Sequence, residues 1–397
     1  MAHRIHWFTK LFGSKIRRFG IKPTHPTYHA ICGEGLSPLL ETEIQSFHLK
    51  ISNQNRGGIF FSGKKEDVIQ FAIHTKFASR VNLQLLHENA QNYDEFYTKT
   101  SEIPWEKYIG PNVSFRIDAE TKDKLKNSEF TMHRTKDAIL DRLRAKKVPL
   151  PEIEKRLADI TIVVRSHTDR FSVELSLSGD PVGRRGYRLH AGNAPVREPI
   201  AQAMLEMSDW KEGETLVDPM CGSGTVLIEA ALRERLFGEI NRFLFAESPI
   251  FQTLFPTYVF SERKKESPTS PHLFGFDIDP EAIRIAKENA YEAGVEDFIK
   301  FEVADCLTLK NTFGSQGHLV TNPPYGDRIG KPMEDLREMY FQFGRVLKNE
   351  FGGWKFTVLC ADFSLLGKFG LKENKHITLK HANLKAKIVD YELRGGK

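Results

Sequence analysis

Four consecutive residues, Asn322-Pro323-Pro324-Tyr325, follow the apolar run 319–321 and suit the handling of a nucleobase amine. An exocyclic amine is a poor nucleophile because its lone pair is delocalised into the ring. The Asn322 side chain and the Pro323 carbonyl can accept hydrogen bonds from that NH2 group and aim its lone pair at an electrophilic carbon. The two prolines stiffen the loop, and Tyr325 offers a flat face to an extruded base. The alternative is an ordinary proline-rich turn after a strand.

A glycine-containing loop earlier in the chain predicts a ligand cradle. Residues 215–217 indicate a strand, Asp218-Pro219-Met220-Cys221-Gly222-Ser223-Gly224-Thr225 follows, and 226–235 has a helical pattern. The spacing is neither G-x-G-x-x-G nor that of a phosphate loop. It favours a zwitterionic ligand, with Asp218 meeting the ammonium of a methionine moiety while Gly222 and Gly224 leave room for its main chain. We expect Cys221 in the same cofactor loop.

Two more acidic residues end predicted strands further along. Strand 273–276 ends at Asp277, which is placed to bind ribose hydroxyls, and Asp279 suits the N-cap of helix 281–293. Strand 298–303 leads to Asp305, which could accept from an adenine amino group, with the Cys306 N–H facing the ring. The order of glycine loop, ribose acid, adenine acid and Asn-Pro-Pro-Tyr predicts an S-adenosylmethionine site. The longer connection 237–271 suggests a substrate lid.

The first half of the chain has a different character. Residues 1–200 contain 32 Lys+Arg against 23 Asp+Glu, a difference of +9, whereas the remainder has 25 against 29, or −4. Residues 1–27 contain no acid and interleave basic with aromatic residues, which favours an RNA-facing arm; a targeting segment and a short surface helix stay open. From residue 28 a β-α-β-α-β order suits a ferredoxin-like layer, with elements at 28–32, 36–47, 58–61, 64–74 and 80–86.

A further helix at 93–100 completes this first unit, and a second unit follows with predicted elements at 113–117, 131–147, 160–164 and 171–177. Helix 131–147 has a basic face that includes Arg134, Arg142 and Lys146, which could follow a phosphate backbone. At the join between the halves, Arg185 and Arg188 flank a Gly-Tyr pair and could contact phosphate and base. Solvated surface residues are the alternative in both places.

Composition excludes several classes of protein. The four cysteines are scattered, which argues against disulfides or a zinc site and for a reducing, cytoplasmic location. No stretch of about eighteen uninterrupted apolar residues occurs, so we expect no membrane span. His133, His167 and His190 stand alone, and we expect no metal.

Together these motifs resemble the THUMP-domain class I methyltransferases that form N2-methylguanosine in RNA, and most of all the bacterial branch acting on 23S rRNA. The resemblance begins near residue 28. The matching stretches are Leu177-Ser178-Gly179, Arg185-Gly186-Tyr187-Arg188, Gly192, Ala194-Pro195, residues 218–225 and residues 322–326. The join motif is the more specific one, because the two catalytic-domain motifs also occur in DNA and protein amino methyltransferases.

The resemblance implies an α/β architecture in which a ferredoxin-like plus THUMP module docks structured RNA ahead of a doubly wound methyltransferase domain with a seven-stranded sheet. It implies that guanine is held by Asn322, Pro323 and Tyr325, and the cofactor by Asp218, Gly222, Gly224, Asp277 and Asp305. We expect an arm at 1–27, the RNA-binding module at 28–178, a linker at 179–200 and the methyltransferase domain at 201–397. The second methyltransferase domain of the fused proteobacterial form does not occur in this sequence, so we expect one methylation.

Three alternatives stay open at this point. The target could be tRNA, with the same guanine chemistry. The Asn-Pro-Pro-Tyr motif also serves DNA adenine-N6 methyltransferases, although the basic module upstream disfavours that class. A non-catalytic ribosome-assembly factor would not need every one of these chemically required residues.

Overall fold

A computed structural model of the chain describes residues 25–55, 57–110, 113–154, 158–178, 185–188, 196–236, 238–260, 265–268, 271–325, 332–381 and 384–394. Almost all of the predicted basic arm, together with Gly179, Gly192, Ala194-Pro195, His190 and Gly326, lies outside these ranges.

The N-terminal unit has the βαββαβ order of a ferredoxin-like fold. Its elements are β1 (Tyr28–Cys32), α1 (Ser37–Ser46), β2 (Lys50–Asn55), β3 (Gly58–Ser62), α2 (Lys65–His74) and β4 (Ala78–Asn89). The sequence did not predict β2, because this edge strand is mostly exposed and lacks the apolar alternation that marks a half-buried strand.

The next unit extends the same sheet. Its elements are α3 (Tyr93–Ser101), β5 (Phe115–Glu120), α4 (Ser128–Ala145), β6 (Ile160–His167) and β7 (Arg170–Ser176). Strand β4 pairs antiparallel with β7, which joins the two units into one seven-stranded sheet of order β2-β3-β1-β4-β7-β6-β5. The two units of the N-terminal module therefore share one continuous sheet and are not two separate domains.

The second half is a doubly wound α/β unit. Its elements are α5 (Glu198–Met207), β8 (Leu216–Asp218), α6 (Thr225–Arg235), α7 (Arg242–Ala246), α8 (Pro249–Leu254), β9 (Leu273–Asp277), α9 (Pro280–Glu292), β10 (Ile299–Val303), β11 (His318–Thr321), α10 (Met333–Glu350), β12 (Lys355–Cys360), α11 (Phe363–Leu366), β13 (Glu373–His381) and β14 (Leu384–Glu392). The sheet order is β10-β9-β8-β11-β12-β14-β13, with β14 antiparallel to β12 and β13. The predicted seven-stranded sheet and closing hairpin are confirmed.

The strand order reverses between β8 and β11, which are parallel neighbours with Leu319 opposite Val217. Ligands of open α/β sheets bind outside the carboxyl ends of the strands at such a point. Asp218, Asp277 and Asn322 all lie at or just beyond those ends.

The lid prediction is wrong for the described part of connection 237–271. Phe245, Phe251 and Phe255 are buried in the core, and Ser248 Oγ donates to the Leu177 carbonyl at 2.6 Å. Helix α7 packs on α2. Because these aromatic side chains are buried in the core, the connection packs between the two halves. A lid would have to move away from the site, and this segment is held in place.

Candidate active site

The glycine loop after β8 adopts a backbone that requires its glycines. Gly222 has φ +52° and Gly224 has φ +80°, in the left-handed region that side chains disfavour. A Cβ on Gly224 would lie 2.9 Å from the Phe301 ring, so helix α6 can approach β10 only because that atom is missing. The Cys221 N–H donates to the Phe276 carbonyl at 2.8 Å, which fixes the loop to β9. The result is a turn that a ligand can approach closely.

Asp218 is a buried carboxylate without a protein cation. Its side chain accepts from the Met220 N–H at 3.2 Å, and it makes no ion pair within the part of the chain that the structure describes. Burial raises the pKa of Asp218 to about 7, an effect opposed by the Thr321 hydroxyl and the Met220 N–H and reinforced by Asp277. An ammonium group is the ligand that such a carboxylate lacks.

Asp277 ties the glycine loop to the second strand. Its Oδ2 accepts from the Gly222 N–H at 2.9 Å and its Oδ1 from the Asp279 N–H at 3.0 Å. Each carboxylate oxygen has a second lone pair, so both can also accept from ribose hydroxyls. Asp279 caps α9 through the Glu281 N–H, as predicted. Sequence reasoning did not single out Ile278, although it stands out as an apolar residue between two acids. Its side chain is 66% exposed beside Asp277.

The third strand end carries Asp305 and Cys306. Asp305 Oδ1 accepts from the Leu307 N–H at 2.9 Å and caps a short 3-10 helix in which Cys306 is buried. Burial and the neighbouring Asp305 raise the pKa of the Cys306 thiol to about 12, and burial also raises the pKa of Cys221 well above its usual range. Both thiols are therefore protonated at neutral pH and are not nucleophiles.

The Asn-Pro-Pro-Tyr loop follows β11 directly. Asn322 Oδ1 is shielded from solvent and has no hydrogen-bond partner within the described ranges. The buried Tyr340 hydroxyl, from α10, donates to the Pro324 carbonyl at 3.2 Å and holds the loop. Sequence reasoning missed Tyr340, although Leu336, Tyr340, Phe343 and Leu347 form a clear helical stripe. An unsatisfied buried acceptor is costly, so this oxygen is free to accept a hydrogen bond from a ligand.

The basic residues predicted along α4 lie on the surface of the N-terminal module. Arg134 donates to Asp94 at 3.0 Å and lies over the Tyr97 ring, and Arg142 forms a two-pronged pair with Glu106 at 2.9 and 3.1 Å. Lys146 is exposed at the C-terminal end of α4 and has no ion pair within the described ranges. Their contact with RNA stays a prediction.

The two arginines of the join do not fit the predicted RNA contact. The Arg185 side chain is 4% exposed and donates from Nε to both oxygens of Glu229 at 2.8 Å. Arg188 donates to the Val196 carbonyl, Glu198 and the Thr225 hydroxyl at 2.9 to 3.1 Å. Their donors are directed inward to acceptors of the chain itself, so they are unsuited to binding phosphate.

Within the described ranges, no cluster of three His, Cys, Asp or Glu side chains could hold a metal ion. No helix in that part of the chain is both long enough and apolar enough to cross a membrane.

Comparison with known proteins supports this architecture. The family described as "RMKL-like, methyltransferase domain" matches residues 185–389, the THUMP domain family matches 90–175, and the RlmL ferredoxin-like domain family matches 27–82. The ribosomal RNA large subunit methyltransferase K/L of Psychromonas ingrahamii is 34% identical over 379 residues, covering 92% of this chain and 50% of that protein. The chain spans about half the length of the curated relatives it matches.

Solved structures share the fold over nearly the whole chain. SMU.472, provisionally assigned as a methyltransferase and solved in a complex with SAH, has a TM-score of 0.77 at 25% identity, covering 94% of this chain and 99% of that one. A predicted N6-adenine-specific DNA methylase from Listeria monocytogenes has a TM-score of 0.74 at 25% identity, covering 93% and 97%. The expected fold is confirmed, and the chain belongs to the RMKL-like methyltransferase family, with ferredoxin-like and THUMP domains ahead of the catalytic domain.

Proposed function

We propose that the chain transfers a methyl group from S-adenosylmethionine to N2 of a guanine in RNA, with large-subunit ribosomal RNA as the favoured substrate. The observation that carries the proposal is the solvent-shielded Asn322 Oδ1 at the carboxyl edge of β11, which has no hydrogen-bond partner among the residues that the structure describes. An exocyclic NH2 group has the donor that this acceptor needs. A target hydroxyl has only one hydrogen to donate and a ring carbon has none, so neither could hydrogen-bond to both Asn322 and Pro323.

The cofactor residues fit S-adenosylmethionine as a class. Buried Asp218 has no cationic partner within the described ranges and can pair with the methionine ammonium. Gly222 and Gly224 leave the loop open for its main chain, Asp277 faces the ribose, and Asp305 with the Cys306 N–H faces the adenine. When bound, S-adenosylmethionine supplies a sulfonium methyl group, and the transfer needs no metal.

The protein's own contribution is positioning. Asn322 Oδ1 and the Pro323 carbonyl orient the amine, Tyr325 stacks on the extruded base, and Tyr340 keeps the loop in place through Pro324. The proton leaves N2 after the methyl group has arrived, so the mechanism requires no strong base. The methylated product retains one N–H, so it can donate to only one of these two acceptors.

RNA as the substrate is supported by the THUMP domain and by the relatives named as ribosomal RNA methyltransferases. The surface cations of α4 would make binding sensitive to salt. A second candidate is methylation of adenine N6 in DNA, favoured by the name of the Listeria neighbour. Guanine N2 in tRNA is the nearest variant of the proposal.

The test uses the full chain with radiolabelled S-adenosylmethionine. Ribosomal RNA and tRNA from cells lacking the gene, and DNA, are offered separately, and the labelled nucleoside is identified after digestion. N2-methylguanosine in large-subunit rRNA supports the proposal. N2-methylguanosine in tRNA would keep the reaction but identify tRNA as the substrate. N6-methyladenine in DNA would support the second candidate. Absence of label in every substrate would contradict catalysis on free nucleic acid.

Asn322→Ala provides the matching site test. We expect kcat to fall about 100- to 1000-fold, as when one preorganised polar group is removed from an active site. The dissociation constant for S-adenosylmethionine should not change. Asn311→Ala, at a partly exposed loop position where the amide bonds the Gly314 carbonyl, is the control and should keep wild-type turnover. Wild-type turnover in Asn322→Ala would refute the role of this residue.

A further inference from the structure

The Arg-Gly-Tyr-Arg join lies in a buried polar network that spans the two halves of the chain. Its centre is Glu229, which is fully buried and accepts from Arg185, from the Tyr187 hydroxyl at 3.2 Å and from Gln202 Nε2 at 2.7 Å. Arg233 donates in turn to the side chain and the carbonyl of Gln202. A network this fully satisfied is rigid, because every alternative rotamer would strand a buried polar group.

One arm of the network reaches the N-terminal module through Asn241. Arg185 donates from Nη1 to Asn241 Oδ1, and the Asn241 amide donates from Nδ2 to the carbonyls of Ala72 and Thr75 at 3.2 and 2.7 Å. The Asn241 backbone N–H donates to the Ile73 carbonyl at 3.0 Å. Carbonyls at the end of α2 lack helical partners, so this one buried asparagine completes the C-terminus of a helix in the other module.

The other arm reaches the cofactor loop. Glu229 lies one helical turn after Thr225, the first residue of α6. The Thr225 hydroxyl accepts from Arg188 at 3.1 Å, and Gly224 immediately precedes it. Arg185 and Arg188 therefore connect the end of α2 to the start of α6 through a handful of direct hydrogen bonds.

We propose that Asn241 and Arg185 are positioning residues that hold the N-terminal module in a fixed register with the glycine loop and the methyl-transfer site. Other described polar contacts also join the halves: Lys76 pairs with Glu206 at 2.8 Å where both are partly exposed, Gln70 meets Tyr258 at 3.4 Å, Ser248 Oγ donates to the Leu177 carbonyl at 2.6 Å, and the Lys380 N–H donates to the Glu34 carbonyl at 3.0 Å. Unlike these, the buried link through Asn241 and Arg185 continues to helix α6, which directly follows the glycine loop. The buried link thus fixes how far, and in which direction, an RNA gripped by the first module lies from Asn322. The inference rests on the proposed function.

The test separates register from binding. Asn241→Ala removes the contacts to α2, and Arg185→Lys keeps a cation beside Glu229 but loses the fork that also reaches Asn241. In the full chain, we expect kcat on the RNA that the wild type methylates to fall at least about tenfold, towards the roughly 100-fold that a misplacement of 1 Å can cost. Dissociation constants for that RNA and for S-adenosylmethionine, measured separately, should stay within about twofold of wild type.

Hydrogen exchange gives a readout that does not depend on activity. Amides at the end of α2 should exchange faster in Asn241→Ala, while those of β8 and β9 keep wild-type protection. Asn311→Ala is the control: it should change exchange only within its own loop, and leave exchange at the end of α2 and turnover at wild-type values.

Two results would overturn the inference: wild-type kcat in both variants, or parallel loss of turnover, both binding constants and the unfolding midpoint, which marks a general folding role. A wild-type protein that methylates no RNA would instead refute the proposed function, and the inference with it. Loss of kcat alone, with binding retained, supports the positioning role.

Discussion

Two buried carboxylates lie near each other in the sequence, Asp218 before helix α6 and Glu229 within it, and their surroundings differ. Glu229, inside the helix, is met by a guanidinium, a hydroxyl and an amide of the chain itself. Asp218, just before the glycine loop, receives neutral donors and no cation of the described chain, and its pKa is raised to about 7 by burial. Glu229 is thus paired inside the protein, whereas Asp218 lies at the carboxyl edge of the sheet, where we propose that a cationic ligand supplies the counter-charge.

The comparison also separates two sets of arginines. Those of the join are paired with largely buried acids, and those of α4 are paired at the surface with partners that water and salt can replace. Basic residues alone therefore do not identify a nucleic-acid surface. What matters is whether their donors are already used inside the protein.

Glu229→Ala should give the largest effect on stability. Removing this carboxylate leaves Arg185 buried and unpaired, which costs about 3–5 kcal/mol. Urea denaturation of the full chain measures the change. Glu302→Ala, in an exposed pair with Lys300, is the control and should cost about 0–1 kcal/mol. Equal losses in the two variants would remove the distinction between the buried network and a surface pair.

Asp218→Asn should impair binding of the cofactor without lowering the stability of the protein, whereas Glu229→Ala lowers the stability. The amide resembles the protonated acid, so the unliganded protein should keep its stability at pH 8 or gain some. Affinity for S-adenosylmethionine should fall by about 2 kcal/mol or more, which is about 30-fold, because the ligand ammonium loses its buried partner. Calorimetric titration checks this. Unchanged affinity would show that Asp218 does not meet the ammonium.

The pH dependence of binding tests the same carboxylate without a mutation. Because the folded pKa of Asp218, about 7, exceeds its ordinary value of 3.8, its protonation stabilises the unliganded protein fully below pH 4, and this contribution is lost as pH rises through 7. Pairing with an ammonium requires the ionised form. Affinity for S-adenosylmethionine should therefore weaken about tenfold per pH unit below 7 and level off above it. Asp218→Asn should abolish this slope, and a flat wild-type profile would contradict the assignment.

Sequence reasoning succeeded where local chemistry and order suffice. Asp218, Asp277, Asp305 and the loop at Asn322 each lie at or just after the end of a strand in an alternating β-α pattern, and parallel strands bring such ends to one edge. The helix and strand periods likewise predicted most elements to within a few residues.

What sequence reasoning missed depends on long-range contacts. Arg185 was predicted to face RNA because its partner, Glu229, lies 44 positions away and becomes a neighbour only after folding. The Tyr340 contact with the Pro324 carbonyl and the Asn241 contact with α2 are equally invisible in a linear pattern. Strand β2 was missed because an exposed edge strand is specified by its neighbour β3 rather than by its own residues.

The smallest expected effects, on RNA affinity, come from substitutions of the surface cations of α4. Arg142 donates to Glu106, and this hydrogen bond lowers the pKa of Glu106 to about 2. The Lys146 ammonium, in contrast, has no ion-pair partner in the described chain. If α4 follows the phosphate backbone, Lys146→Ala should reduce the slope of log affinity for RNA against log salt by about one, with Arg142→Ala changing it less. Neither variant should alter S-adenosylmethionine binding. Filter binding across a salt series measures the slopes, and an unchanged slope for Lys146→Ala would remove this part of α4 from the RNA-binding surface.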